Sequence, residues 1–269
     1  MKFKVPVVIE ILSPFSFRRS DEFLDAVRTF CESLPELSPE KWGWWEPLDR
    51  DFDCRDLAQL VHANGNCETV AWERRKRPKA TGSFRVRWRS KSPRVRDTHA
   101  KVTCTVELGQ VNQDSLVAYL KRSSLRTEAD FAFFDALSEP YKDFAFESKS
   151  APYRNFFIVT THLLRHWLPD VFWGTVFGPA YVRLFGKERL LTAPAYVVEE
   201  LGPEMVYIQL TEQIEDTVND YEKIQSSRQL FKNHLQSNAF FKTGQGYDIL
   251  QKGPVGDVFA VPDFELREE

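Results

Sequence analysis

His162 and His166 are four residues apart, a spacing that lets two imidazoles share one helix face and one metal ion. Leu163 stands where a metalloprotease helix needs its glutamate, and His62, His99 and His234 are single. With no third ligand to name, the pair reads more readily as histidines that complement a helix C-terminus. Nucleophilic signatures are missing: there is no Gly-x-Ser-x-Gly, P-loop, dinucleotide glycine fingerprint or kinase motif. Gly244-Gln245-Gly246 lacks a strand-to-helix setting and reads as a loop. Cys31, Cys54, Cys67 and Cys104 are separated by 23, 13 and 37 residues, which fits neither a zinc ribbon nor a disulfide scaffold. The expectation is a protein without a catalytic site, metal or cofactor.

Charge says more. The formal net charge of −3 conceals blocks of −5 (residues 1–72), +10 (73–101), zero (102–198) and −8 (199–269). Within the basic block Phe84, Val86 and Trp88 alternate with Arg85, Arg87 and Arg89, a period of two that predicts a core-facing row and a cationic row. Arg74, Arg75, Lys76, Arg77 and Lys79 precede it in a turn. Such a strip over 74–101 suits phosphates or an acidic protein surface; packing against the chain's own acidic flanks is the bland alternative. Aromatics that alternate inward weaken the nucleic-acid reading, because single-strand binders stack bases on exposed rings. Trp42, Trp44 and Trp45 form a cluster in which the adjacent pair cannot both face one interior if extended. One of Trp44 and Trp45 is therefore a candidate contact residue, since Trp and Arg are enriched in interface hot spots. Glu199 and Glu200 are candidate acidic contacts, although neighbouring acids alternate faces on a strand.

These residues need a scaffold. Val5–Leu12 predicts a strand and Ser20–Leu34 a helix closed by Pro35. Trp42–Pro47 falls in a turn-rich connection, and a helix near Asp53 carries Leu57, Leu60 and Val61. Strands follow at Glu68–Trp72, around Phe84 and over Val102–Leu108, then a helix capped by Asn112 or Asp114. Further on come a buried helix over Tyr153–Trp167, a strand over Phe172–Phe177, and a helix opened by Gly178-Pro179 and closed by Gly186. A hairpin over Tyr196–Leu210 turns at Gly202-Pro203, and a long helix runs from Asp216 or Asn219 to Leu235. Strand groups mix with helices without strict alternation. That predicts an α+β fold of mostly antiparallel sheets with helices on one face. The chain reads as one compact unit, with two similar halves, 1–125 and 126–269, as the alternative.

Composition excludes other classes. With 22 Phe, 7 Trp and 8 Tyr the chain is too aromatic for disorder, and 15 scattered Pro exclude a coiled coil. Pro6 and Glu10 interrupt the short apolar start, so no signal peptide is expected. No apolar run approaches the roughly 20 residues that span a bilayer. A cytoplasmic location with reduced thiols and no membrane partner is the expectation.

The stretch Phe172–Gly186, continuing through Lys187–Pro194, and the segment Val206–Glu212 resemble immunity proteins of bacterial polymorphic toxin systems, in particular the family called immunity protein fifty-two. The resemblance covers about a third of the chain, in its C-terminal half, and its residues are mostly Gly, Pro and aromatics. It implies an α+β inhibitor, encoded beside a toxin, that neutralises this cognate effector by non-covalent binding. No family contact residues map onto this sequence. A nucleic-acid-binding accessory protein using the 74–101 strip is the alternative.

Overall fold

The computed structural model describes residues 3–56, 69–87, 97–137, 159–240 and 259–267. Ten strands form one antiparallel sheet in the order β3-β2-β4-β5-β6-β1-β7-β8-β10-β9. They are β1 (Pro6–Ser13), β2 (Lys41–Gly43), β3 (Arg50–Asp51), β4 (Thr69–Arg74), β5 (Ala80–Arg85), β6 (Ala100–Glu107), β7 (Phe131–Ala136), β8 (Gly174–Phe177), β9 (Val197–Gly202) and β10 (Met205–Gln209). Helices α1 (Ser20–Ser33), α2 (Gln113–Arg126), α3 (Thr161–Leu164), α4 (Pro179–Phe185), α5 (Lys187–Leu191), α6 (Asp216–Asn219) and α7 (Tyr221–His234) complete an α+β fold. Strands from both sides of position 125 share the sheet, and β1 joins them: Ile9 pairs with Cys104 of β6 and with Phe134 of β7.

The central strands explain the layering. Val7, Ile9 and Ile11 face one core with Phe30 of α1 and Tyr119 of α2, while Val8 and Leu12 face another with Tyr181, Phe185 and Phe231 of α4 and α7. Strands apolar at consecutive positions need cover on both faces, so helices lie on both sides of the sheet, not on one as expected. The β4–β6 half differs. Trp72, Phe84, Val102 and Cys104 pack beneath α1, but the opposite face of these strands is polar.

Local signals work where turn chemistry is strict. Asn112 accepts the Asp114 amide at 2.7 Å and caps α2. Gly178 precedes Pro179 at the start of α4, and a Cβ there would lie 1.8 Å from the Ala129 carbonyl oxygen, so only glycine fits. Gly186 ends α4 with φ +85°.

Three expectations change. Lys41–Gly43 is a strand rather than a turn, pairing with β3 and β4. The helix expected over Tyr153–Trp167 is helical only at Thr161–Leu164 among its described residues; 153–158 lie outside them. The last long helix is broken at Asp220, whose carboxylate accepts the Lys223 amide at 3.2 Å and starts α7 afresh. The helix expected near Asp53 falls largely on 57–68, outside the described residues.

Candidate functional site

Alternation on β4, β5 and β6 sends apolar side chains under α1 and leaves Glu73, Thr81, Ser83, Arg85, Thr103 and Thr105 on the other face. With Glu10 and Lys101 they line an open groove of about 770 Å³, whose rim is Glu46-Pro47-Leu48 at the tip of the β2–β3 arm. Ladder register sets Ser83 opposite Thr103, and their hydroxyls meet at 2.8 Å.

One end of the groove is charged and rigid. Lys101 Nζ lies 2.7 Å from Glu10 Oε2, with both side chains buried. Lys101 also donates to the Val159 carbonyl at 2.8 Å, and the Val159 amide donates to Glu10 at 3.1 Å. Burial pushes the Glu10 carboxyl up and the Lys101 ammonium down; their mutual contact opposes both shifts. Arg85 is exposed beside this pair, and its charge favours the ionised Glu10. The arrangement offers a partner fixed hydroxyls and two exposed guanidiniums, those of Arg75 and Arg85.

Two features flank the groove. Trp45 is 80% exposed, whereas Trp42 is buried and Trp44 half-buried. Trp42 and Trp44 meet edge to face at 5.0 Å, with the Arg50 guanidinium 5.0 and 5.9 Å from their ring centres. The second feature is the turn between β4 and β5. Glu40 Oε2 accepts the amides of Arg75 and Lys76 at 2.9 and 3.1 Å, and Lys76 Nζ lies 3.0 Å from Glu40 Oε1. Arg75 pairs with Glu73 at 2.8 Å, so part of the basic block is neutralised within the chain. Arg77 and Lys79 remain exposed.

Burial alone would raise the Glu40 carboxyl, but the Arg75 and Lys76 amides and the Lys76 ammonium outweigh it and hold it at about 2. A carboxyl depressed from its ordinary 4.5 contributes stability above that pH and loses it as pH falls towards 2. Urea unfolding at pH 5 and pH 3 should therefore show a smaller acid loss in Glu40→Gln than in the parent; equal losses would contradict the assignment.

The other anticipated contacts are dispersed. Arg87 is 1% exposed and donates to the carbonyls of Pro14 and Arg267, while its amide donates to Ser16 at 2.8 Å. It fastens chain segments together and takes no place in a cationic row, because β5 ends at Arg85 and the period of two ends with it. Arg89 lies outside the described residues. Glu199 and Glu200 sit on β9 at the far edge of the sheet and pair separately, with Lys121 and Lys187, each at 2.6 Å. The structure thus places Trp44, Trp45 and Arg85 on the β2–β6 half of the sheet and leaves Glu199 and Glu200 remote. His162 and His166 have ring centres 4.9 Å apart; among the described residues no third His, Cys, Asp or Glu joins them.

Two buried polar clusters escaped the sequence reading. His99 Nδ1 lies 2.9 Å from Thr161 Oγ1 and its Nε2 3.0 Å from Asp130 Oδ2, beneath the edge of Phe264. The three residues are buried and tie β6, β7 and α3; burial lowers the His99 pKa against the pull of Asp130. In the second cluster Arg228 meets Asp135 at 2.5 Å and the Val171 carbonyl at 2.9 Å, while Lys232 meets Asp170 at 2.8 Å. Burial pushes Asp135 up to about 6 despite Arg228. The available signal was a single acid inside an apolar run: Glu10 within Val7–Leu12, Asp135 within Phe131–Leu137. Buried charges must be paired, so each implies a cation from elsewhere in the chain.

No helix among the described residues is long and apolar enough to cross a membrane. No family model matches the sequence. No curated protein matches it either. The fold itself is similar to a solved structure, the Pseudomonas aeruginosa T6SS protein PA0821, with a TM-score of 0.51 and 13% identity, over 90% of this chain and 76% of that one.

Proposed function

We propose that this chain is an immunity protein that neutralises a cognate toxin effector by non-covalent binding, and that the β4–β6 groove with Trp45 at its side is the contact face. The observation that carries the reading is the fold shared with a T6SS protein over 90% of the chain. The resemblance of Phe172–Pro194 and Val206–Glu212 to toxin-immunity proteins supports it independently. Those residues build β8, α4, α5 and β10, with Trp173, Phe177, Tyr181 and Phe185 all buried, so they form scaffold and leave contact to another surface. The groove is suited to that part: it is polar and backed by a packed core, and Arg75 and Arg85 line it with exposed side chains. The partner surface that complements it carries carboxylates and hydrogen-bonding groups.

Co-expression with the product of the adjacent gene tests the proposal. Growth arrest by that product alone, relieved by this chain, is the expected result. A harmless neighbour, or arrest that persists, would sink it. Salt-sensitive retention of DNA or RNA by the purified chain, lost in Arg85→Glu, would instead favour the nucleic-acid reading.

A further inference from the structure

The sheet is open, and its two edges are unequal. At one end β3 is two residues long, too short to hold another strand. At the other, β9 runs for six residues, Val197–Gly202, and among the described residues its main chain bonds only to β10. Little blunts this edge. Pro194 and Pro203 lie outside the strand, no lysine stands on it, and the ladder skips a residue only at Leu201. Val197 and Leu201 pack against the core beneath α1 and α2, and Val198 against the core beneath α4 and α7. Tyr196, 57% exposed, precedes the strand. Leu125, 46% exposed, stands at its other end, where a Cβ on Gly202 would lie 3.7 Å from Leu125 Cδ2.

We propose that a second copy of this chain pairs with β9, antiparallel across a two-fold axis, so that the two sheets join into one. Charge argues for a copy over a foreign strand. Glu199 holds Lys121 at 2.6 Å on one face of the sheet, and Glu200 holds Lys187 at 2.6 Å on the other, so both edge acids are neutralised within the chain. A basic strand would have to displace those lysines and an acidic one gains nothing, whereas a copy brings the same neutral pairs. Closure argues the same way. Pairing of β9 with β3 of another molecule offers only two residues, while β9 against β9 is isologous and closes both edges at once. Residues on the same face must meet, so the axis passes through a residue. An axis at Glu199 would set glutamate directly against glutamate, which is unfavourable. An axis at Val198 sets that valine against the partner's Val198, Val197 against the partner's Glu199, and Tyr196 against the partner's Glu200. Both glutamate–lysine pairs survive. The inference stands apart from the immunity reading, because the groove lies on the β4–β6 half of the sheet.

Light scattering on the full chain after gel filtration tests it. An edge of this size makes a small interface, so the mass should rise from one chain at ~5 µM to two chains at ~200 µM. Val198→Lys sets lysine against lysine on the axis and should hold the chain monomeric at both concentrations. Tyr196 is exposed and outside the strand, so Tyr196→Glu leaves the core untouched. Set twice against the partner's Glu200, it should weaken the dimer by about tenfold. A short bismaleimide should link Val198→Cys of one molecule to the same residue of the other, as read by peptide mapping. A single-chain mass at the higher concentration, a dimer that both substitutions leave intact, or an intermolecular link only at other cysteines would each overturn the proposal.

Discussion

Asp135→Ala should destabilise the protein by about 3–5 kcal/mol, the usual cost of removing one partner of a buried ion pair. Arg228 is 1% exposed and loses its 2.5 Å carboxylate partner once Asp135 is gone, while Asp170 stands farther off at 3.7 Å and the Val171 carbonyl is neutral. The Trp173 amide loses its acceptor at 3.0 Å as well. At roughly 2–4 °C per kcal/mol for a chain of this size, the thermal midpoint should drop by about 10 °C. The paired replacement Asp135→Leu with Arg228→Met distinguishes charge from packing. It removes both charges, leaves Lys232 to satisfy Asp170, and should recover much of the loss. A double variant as unstable as the single one would mean that the cost lies in packing around Phe134 and Trp173, whose rings meet at 5.0 Å.

This pair also shows where the sequence stops being informative. Elements set by local chemistry were legible: α1 from its helical apolar spacing, α2 from its Asn112 cap, α4 from Gly178-Pro179 and Gly186, and the β9–β10 hairpin from Gly202-Pro203. Strand β7 was not, because Phe131–Phe134 is continuously apolar and a strand covered on both faces has no period to detect. The exposure of one tryptophan followed from the adjacency of Trp44 and Trp45, and the opposed faces of Glu199 and Glu200 from strand alternation. Their lysine partners, 78 and 13 residues away, did not follow from any local rule. Arg87 misled for a related reason. Alternation was extended past Arg85, whereas a tertiary contact with Ser16 ends the strand there. The groove was half-legible: Thr81, Ser83, Thr103 and Thr105 each alternate with apolar neighbours. Only register, which sets Ser83 beside Thr103, turns two polar rows into one surface.

On the proposed immunity role, Trp45→Ala should weaken binding to the neighbouring gene product by about 30-fold or more, the effect of losing a hot spot worth about 2 kcal/mol. The indole is 80% exposed, so its removal leaves the core untouched and thermal unfolding should move by less than ~0.5 kcal/mol. Trp42 and Trp44 stay in place beneath Arg50 and preserve the arm. Arg85→Glu tests the same face through charge: it should slow association, with a loss that shrinks as salt rises, because a peripheral cation acts mainly on encounter rate. Calorimetry and association kinetics with the neighbouring gene product measure both variants. Glu199→Ala and Glu200→Ala, at the opposite edge of the sheet, should leave affinity unchanged. A loss there, with Trp45→Ala and Arg85→Glu silent, would move the contact from the groove to β9. The two faces differ in physical state, which is why the groove is favoured. Both β9 acids already hold a lysine at 2.6 Å, so a partner must break an existing pair to use them. Trp45 and Arg85 offer exposed surface beside an ordered polar floor, and ordering that floor costs the complex nothing further.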